Sequence, residues 1–335
     1  MRILVTGGGG FLGQEIVNQL LARGETVRSY GRAAQPALAA RGVEIFQGDL
    51  ADAAAVTKAA ASCDAVIHTA AKAGVGGSWD AYYKPNVTGT ENVLAAVRQH
   101  GIQQLVYTST PSVVFDGKSH AGVDESQPIG SHFPCHYPLT KAMAEVAVLS
   151  AHDEKKLRVI ALRPHLIWGT GDPHLVPRLL ARAHKLRMVG DGMNRVDLTH
   201  VRHAAQAHLL ALDALAKPGH PANGRAFFIS DGAPVVLWAW INALLQKMGR
   251  PPVMRKISAS NAYAMGAVLE TLWRFLPLPS EPPMTRFVAT ELSKDHWYSI
   301  AAARRDLGYA PKADLSKEMA ELVASLGIEK TIAHP

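Results

Sequence analysis

The sequence predicts an α/β fold: a doubly wound parallel sheet of the Rossmann type followed by a smaller C-terminal lobe. Three observations carry this reading. Short β-rich runs alternate with longer stretches of helical spacing through the first half of the chain. A glycine-rich turn follows the first run directly. The regular alternation then stops near Arg163, where prolines at 164, 173, 177, 218, 221, 234, 251 and 252 punctuate shorter elements.

In order, strands are predicted at Arg2–Thr6, Thr26–Tyr30, Val43–Phe46, Ala65–His68, Leu105–Thr108 and Val159–Leu162. These runs are short and rich in Val, Ile and Leu, as strands covered on both faces must be. Helices are predicted between them at Phe11–Arg23, Ala51–Ser62, Asp80–Gln99 and Tyr137–Ser150. Strand, helix and parallel strand close right-handed, so the helices cover both faces of one sheet. Further on, the pattern predicts helices near Val201–Leu215 and Val235–Lys247 and a strand near Phe227–Ser230. Residues 1–165, joined by parts of 196–232, should form the sheet domain. Residues 166–195 and 233–335 should form the substrate-binding lobe.

Composition narrows the classes. The 335 residues are 48% apolar and 19% charged, enough for a core and incompatible with wholesale disorder. The formal net charge is +7, and the basic residues are spread out. Their densest run, Arg178, Arg182, His184, Lys185 and Arg187, fits the polar side of a surface helix. Without aromatic interleaving it predicts no nucleic-acid partner. Cys63 and Cys135 cannot make a disulfide framework, and no secretory signal is visible, so a cytoplasmic protein is expected. No apolar run is long enough to span a bilayer; the nearest, Ala262–Leu276, is interrupted by Glu270 and Arg274. Within it Met265, Val268, Leu269, Leu272 and Leu276 fall at helical spacing. The first reading is a helix packed on the core by that stripe; a lid or a peripheral membrane contact are the others.

Thr6-Gly7-Gly8-Gly9-Gly10-Phe11-Leu12-Gly13 follows the first strand and opens the first helix. In this context Gly7 permits the tight turn, Gly10 lets backbone approach a pyrophosphate, and Gly13 lets the helix sit close to the sheet. Phe11 and Leu12 open the helix whose free N–H groups meet the phosphates. At the end of the second strand, Val27-Arg28-Ser29-Tyr30-Gly31-Arg32 contains no acid to accept from a ribose 2′-hydroxyl. Arg32 can instead pair with a 2′-phosphate, which favours NADP(H) and leaves NAD(H) open. Asp49, beside Leu50, either holds the adenine end of the cofactor or caps the next helix.

Tyr137-Pro138-Leu139-Thr140-Lys141 puts a phenol and an ammonium on one helix face. A fixed ammonium nearby is expected to stabilise the phenolate, so that Tyr137 exchanges a proton with a carbonyl or alcohol oxygen. The hydroxyl cluster Thr108-Ser109-Thr110, at the end of the fifth strand, lies where ligands of open α/β sheets bind. Its alternative reading is a strand-end cap.

Together these residues resemble the extended short-chain dehydrogenases, and within them the 3β-hydroxysteroid dehydrogenase branch. The resemblance runs through Thr6 to Gly13, His68-Thr69-Ala70-Ala71, Asn86-Val87-Thr88-Gly89-Thr90 and Tyr107 to Val113. It continues through Tyr137 to Lys141, Arg163 to Gly169, Val196 to Thr199, and the ending His296 to Ser299 with Leu307 to Pro311. It implies Thr110 as the catalytic hydroxyl with Ser109 as fallback, Tyr137 as acid/base and Lys141 as its partner. It implies that Ala70, Ala71, Asn86, Thr108 and Pro164 line the cofactor with Tyr137 and Lys141. It also implies a homodimer paired through helices such as Asp80–Gln99 and Tyr137–Ser150.

The implied reaction interconverts a ketone and a secondary alcohol β to a carboxylate on a large, lipid-like substrate. Reduction of a long-chain 2-alkyl-3-oxoalkanoate is the first expectation; decarboxylating oxidation of a 4-carboxysterol is the second. Either needs an apolar pocket with a cation near the acid, and Lys72 is the candidate, with Ser109 and Trp168 as further substrate contacts. A non-catalytic NADP(H) sensor on the same fold would have lost the tyrosine or the lysine, and both are present. His132, Cys135 and His136, or His200, His203 and His208, make no recognised zinc spacing, so no metal is expected.

Overall fold

The computed structural model describes residues 1–173, 175–276 and 282–332. Its centre is a seven-stranded sheet in the order Arg225–Ile229, Arg158–Pro164, Gln104–Thr108, Ala65–His68, Arg2–Thr6, Thr26–Gly31, Glu44–Gln47. Every neighbouring pair is parallel, which requires a crossover between strands and places helices on both faces.

Alternation along the strands builds two cores. Ile3 and Val5 point to the face covered by Ile16, Val17 and Leu20 of helix Phe11–Ala22 and by Leu209 and Leu212 of helix Val201–Leu215. Leu4 points to the other face, under Val56 and Ala59, Val93 and Val97, and Ala144 and Val148 of three further helices. Both faces are dry, so the strands read as continuous apolar runs. A four-stranded second sheet gathers Val235–Val236, Arg195–Val196, His296–Tyr298 and His120–Val123. Beside it lies a third core around Trp168, Trp238, Trp240, Leu244 and Leu245.

Several boundaries differ from the sequence reading. The third strand is Glu44–Gln47, and the last main strand is Arg225–Ile229. The helix expected over Ala51–Ser62 is Ala53–Ala60, because Asp52 caps it: its carboxylate accepts from the Ala55 N–H at 3.0 Å. The single helix expected at Asp80–Gln99 is three pieces, Trp79–Tyr83, one π-helical turn at Lys84–Thr88, and Gly89–Gln99. Pro85 has no N–H to return to the preceding turn, and the widened turn accommodates it. Helix Val235–Lys247 begins only at Leu237, since Val235 and Val236 pair with Val196 and Arg195.

Helix Ala259–Phe275 corrects the expected stripe. Its Ala262 and Gly266 face inward, and a methyl on Gly266 would come within 2.6 Å of the Thr285 carbonyl carbon. Met265, Val268 and Leu272 are exposed. The backbone approaches so closely that only small residues fit inside, which turns the apolar stripe outward. Among the described residues no helix is long and apolar enough to cross a membrane.

Candidate active site

The C-terminal ends of the central strands carry the site. Gly7 takes φ +74°, a conformation open to glycine, and its N–H donates to the Tyr30 carbonyl. A methyl on Gly13 would collide with the Gly7 carbonyl oxygen, so this glycine is required for the close approach of helix to turn. Gly10 is the helix N-cap and has no side-chain cap, and the first turn holds no acid. The N–H groups of Phe11 and Leu12 are thus left for a ligand's phosphates, and the residues present fit a dinucleotide.

A buried relay fixes the floor of that turn. The Ala70 N–H donates to Thr6 Oγ1 (3.3 Å), which lies 2.6 Å from His68 Nδ1. His68 Nε2 lies 3.0 Å from Thr90 Oγ1, which donates to the Asn86 carbonyl. Because Thr90 spends its proton on that carbonyl, His68 carries hydrogen on Nε2 and accepts from Thr6. Burial pulls the His68 pKa down to about 3, so the ring is neutral. Ala71, next in the chain, is exposed.

Arg32 and Asp49 lie near the sheet edge. Arg32 is exposed, and its carbonyl accepts from Gln47 Nε2. The strand before Arg32 lies three strand spacings, ~14 Å, from Gln104–Thr108, and the strand before Asp49 lies four, ~19 Å. Asp49 turns its carboxylate back on the Ala51 N–H, leaving the helix cap to Asp52, which corrects the capping alternative. Leu50 is buried against Gly89. The sequence reading missed Gln35, whose side chain touches Gly9 and accepts from the Ser29 hydroxyl at 2.6 Å. A serine and a glutamine six apart give no signal.

At the fifth strand, Lys141 Nζ donates to the Thr108 carbonyl at 2.6 Å and stands 4.2 Å over the Tyr107 ring. The Thr108 hydroxyl lies 2.7 Å from His208 Nε2, and His208 Nδ1 lies 2.7 Å from the Ala204 carbonyl. The carbonyl can only accept, so His208 holds its proton on Nδ1 and takes the Thr108 hydrogen on Nε2. Thr110 Oγ1 is 3.0 Å from Ser112 Oγ, and this hydroxyl also acts on Tyr137 by hydrogen bonding, lowering its pKa. Burial outweighs that effect and raises the Tyr137 pKa above its ordinary value. Burial also pulls Lys141 down to about 7, opposed by the Glu145 carboxylate one turn on.

The expectation that Lys141 depresses the phenol is therefore corrected. The ammonium is spent on Thr108 and Tyr107, and desolvation governs both groups. Glu145 is itself buried and joined to Arg163 by two bonds of 3.0 and 2.5 Å. Ser109 is buried; its N–H donates to the Leu162 carbonyl, and its hydroxyl has no partner among the described residues. Pro164 ends its strand and is buried.

Asn86 is a clamp. Its side-chain oxygen accepts from the Lys72 N–H (2.7 Å), and its Nδ2 donates to the Lys72 carbonyl and to Thr140 Oγ1 (both 3.0 Å). Thr140 lies on the helix turn between Tyr137 and Lys141, so one amide joins that turn to the loop after the fourth strand. Lys72 Nζ lies 5.2 Å from the Tyr82 ring centroid and makes no ion pair among the described residues. Tyr82 and Trp79 pack on His136, the neighbour of Tyr137.

Trp168 does not belong here. It is fully buried, edge-on to His200 and Trp240, and offers no surface to a substrate. Its pairing with His200 across a two-residue ladder carries it into the third core. Among the described residues no group of three His, Cys, Asp or Glu is arranged to hold a metal ion. A cleft of about 740 Å³ lined by Trp297, Gly232 and Arg304 involves none of the Thr110, Tyr137 and Lys141 group.

Residues 4–257 match the family model described as the 3-beta hydroxysteroid dehydrogenase/isomerase family. A Stenotrophomonas maltophilia protein named 2-alkyl-3-oxoalkanoate reductase is 50% identical over 330 residues, covering 97% of this chain and 99% of the relative. One of the same name from Shewanella oneidensis is 45% identical over 330 residues, 96% of this chain and 85% of its own. A short-chain dehydrogenase/reductase superfamily protein from Agrobacterium tumefaciens, solved with bound NAD, superposes with a TM-score of 0.76 at 20% identity, over 99% of both chains. That likeness speaks to fold alone.

Proposed function

Since the chain belongs to the 3-beta hydroxysteroid dehydrogenase/isomerase family and is a nicotinamide-dependent oxidoreductase of the short-chain class, we propose that it reduces the ketone of a long-chain 2-alkyl-3-oxoalkanoate with NADPH. The observation that carries the reading is the Asn86 clamp. It joins Lys72, a cation with no carboxylate partner among the described residues, to the turn bearing Tyr137 and Lys141. A substrate carboxylate on Lys72 would hold the ketone carbon two bonds from the acid, beside the loop that the clamp ties to the Tyr137 turn. The Stenotrophomonas and Shewanella relatives carry this substrate in their names.

The nicotinamide supplies hydride when bound. The chain's own groups handle the proton and the orientation. Tyr137 donates its phenolic hydrogen to the carbonyl oxygen during reduction, and Thr110 hydrogen-bonds that oxygen and holds it in line. Lys141, anchored by the Thr108 carbonyl and the Tyr107 ring, fixes the helix turn that presents Tyr137, and Glu145 opposes the loss of its charge on burial. Reduction leaves a secondary alcohol, and Tyr137 must recover a proton before the next turnover.

Exposed Arg32, with no acid at the end of the second strand, supports the choice of NADPH. Arg32→Ala should weaken NADPH more than tenfold and NADH little; equal losses would remove the 2′-phosphate assignment.

The test of function is a spectrophotometric assay of NADP reduction by a long-chain 2-alkyl-3-hydroxy acid, the stable side of the couple. Turnover is expected, with a raised KM in Lys72→Met for the acid and not for its methyl ester. Turnover of a 4-carboxysterol instead would reassign the substrate and leave the chemistry unchanged.

A further inference from the structure

We propose that the C-terminal lobe docks on an anionic lipid surface through the outer face of helix Ala259–Phe275 and the basic strip beside it. Along this helix Met265, Val268, Leu272 and Phe275 share one face and are 39, 60, 44 and 77% exposed. The opposite face is closed by Ala262 and Gly266 against Thr285. A helix that turns its large apolar side chains to solvent and its small ones inward has the arrangement of an interfacial helix, not that of a core helix. Met254, just upstream, is 76% exposed.

Charge selects the occupant. Strand Met188–Val189 pairs with Lys256–Ile257, so the basic run after Leu175 lies against the segment that leads into the helix. Residues 175–190 and 247–273 hold eight Lys and Arg against one acid, Glu270, an excess equal to the +7 of the whole chain. That acid is already paired with Arg286 at 2.6 Å. Among the described residues Arg182, Lys185, Arg187, Arg250, Arg255 and Lys256 form no ion pair. Arg182, Arg250 and Lys256 donate to the carbonyls of Pro283, Leu180 and Asp191 instead. A second copy of the chain would bring the same positive excess face to face with itself. A sheet of anionic headgroups over hydrocarbon matches the charge and the apolar face together. This inference does not depend on the substrate assignment.

The test is sedimentation of the full chain with vesicles of phosphatidylcholine alone or mixed with phosphatidylglycerol. Binding to the mixed vesicles is expected, falling as salt rises. The double variant Val268→Asp, Phe275→Asp should abolish it, and Lys185→Glu or Arg187→Glu should each weaken it at least roughly fivefold. Turnover and circular dichroism of each variant check that the fold is kept. Equal recovery in the supernatant with both vesicle types at low salt would overturn the proposal. So would binding that survives the double variant, or a dimer, by light scattering, that the double variant dissolves.

Discussion

Lys141 should make the protein less stable at neutral pH than it would be without the charge. The side chain is 2% exposed, and burial lowers its pKa from 10.5 to about 7. At about 1.4 kcal/mol for each unit of pKa, keeping it protonated in the fold costs roughly 5 kcal/mol. The folded pKa lies below the unfolded one, so between about pH 7 and 10.5 the unfolded chain binds more protons and stability rises with pH. Lys141→Met removes the cost, together with the bond to the Thr108 carbonyl and the contact over Tyr107, ~3 kcal/mol between them. The variant should therefore be inactive and more stable by ~2 kcal/mol at pH 6. Its advantage should shrink by about 1.4 kcal/mol for each pH unit above 7 and vanish near about pH 8.5. Urea unfolding of both proteins without cofactor, at pH 6, 7, 8 and 9, measures that difference. The slope is the sharper readout, because losing the Thr108 bond, which a neutral amine also donates, displaces the curve by much the same amount at every pH, whereas the attraction to the Tyr107 ring belongs to the charged form and titrates with it. Parallel curves would mean that Lys141 titrates as a free lysine and that its burial has no electrostatic consequence.

Two further outcomes follow from the same geometry. Asn86→Leu deletes three hydrogen bonds in a buried setting and should cost ~3 kcal/mol in unfolding experiments. It should also raise KM for the acid more than it changes cofactor affinity; an unchanged KM would mean that the clamp does not position Lys72. Gly13→Ala drives a methyl into the Gly7 carbonyl and should weaken NADPH by tenfold or more in a fluorescence titration. Wild-type affinity there would show that the turn can retreat without penalty.

The sheet is legible in the sequence because its strands are buried on both faces. Ile3 to Val5, Ala65 to Ile67 and Val159 to Leu162 are unbroken apolar runs that no exposed strand would carry. The turn from Gly7 to Gly13 is legible because each glycine answers a local constraint that needs no knowledge of the rest of the chain. The partners that set Tyr137 and Lys141 are not legible. His208 reaches Thr108 across 100 residues, and Asn86 reaches Thr140 across 54, and neither pairing leaves a local periodicity. The π turn hides behind Pro85, whose effect on a helix depends on what packs around it. Trp168 misleads because the resemblance places it with the substrate contacts of the Arg163–Gly169 segment, whereas a two-residue ladder to His200 buries it. The stripe on Ala259–Phe275 reads inward because hydrophobicity normally decides which face packs; here the closeness of Thr285 decides it.

The proposed chemistry rests on Tyr137 as the proton donor, and one measurement tests that most directly: turnover and NADPH binding compared in Tyr137→Phe. The phenyl ring keeps the shape of the site and loses only the hydroxyl that faces Thr110. Unchanged cofactor affinity with turnover reduced roughly 10²- to 10⁴-fold is the predicted result. Turnover within a few-fold of wild type would contradict it and move the proton to another group.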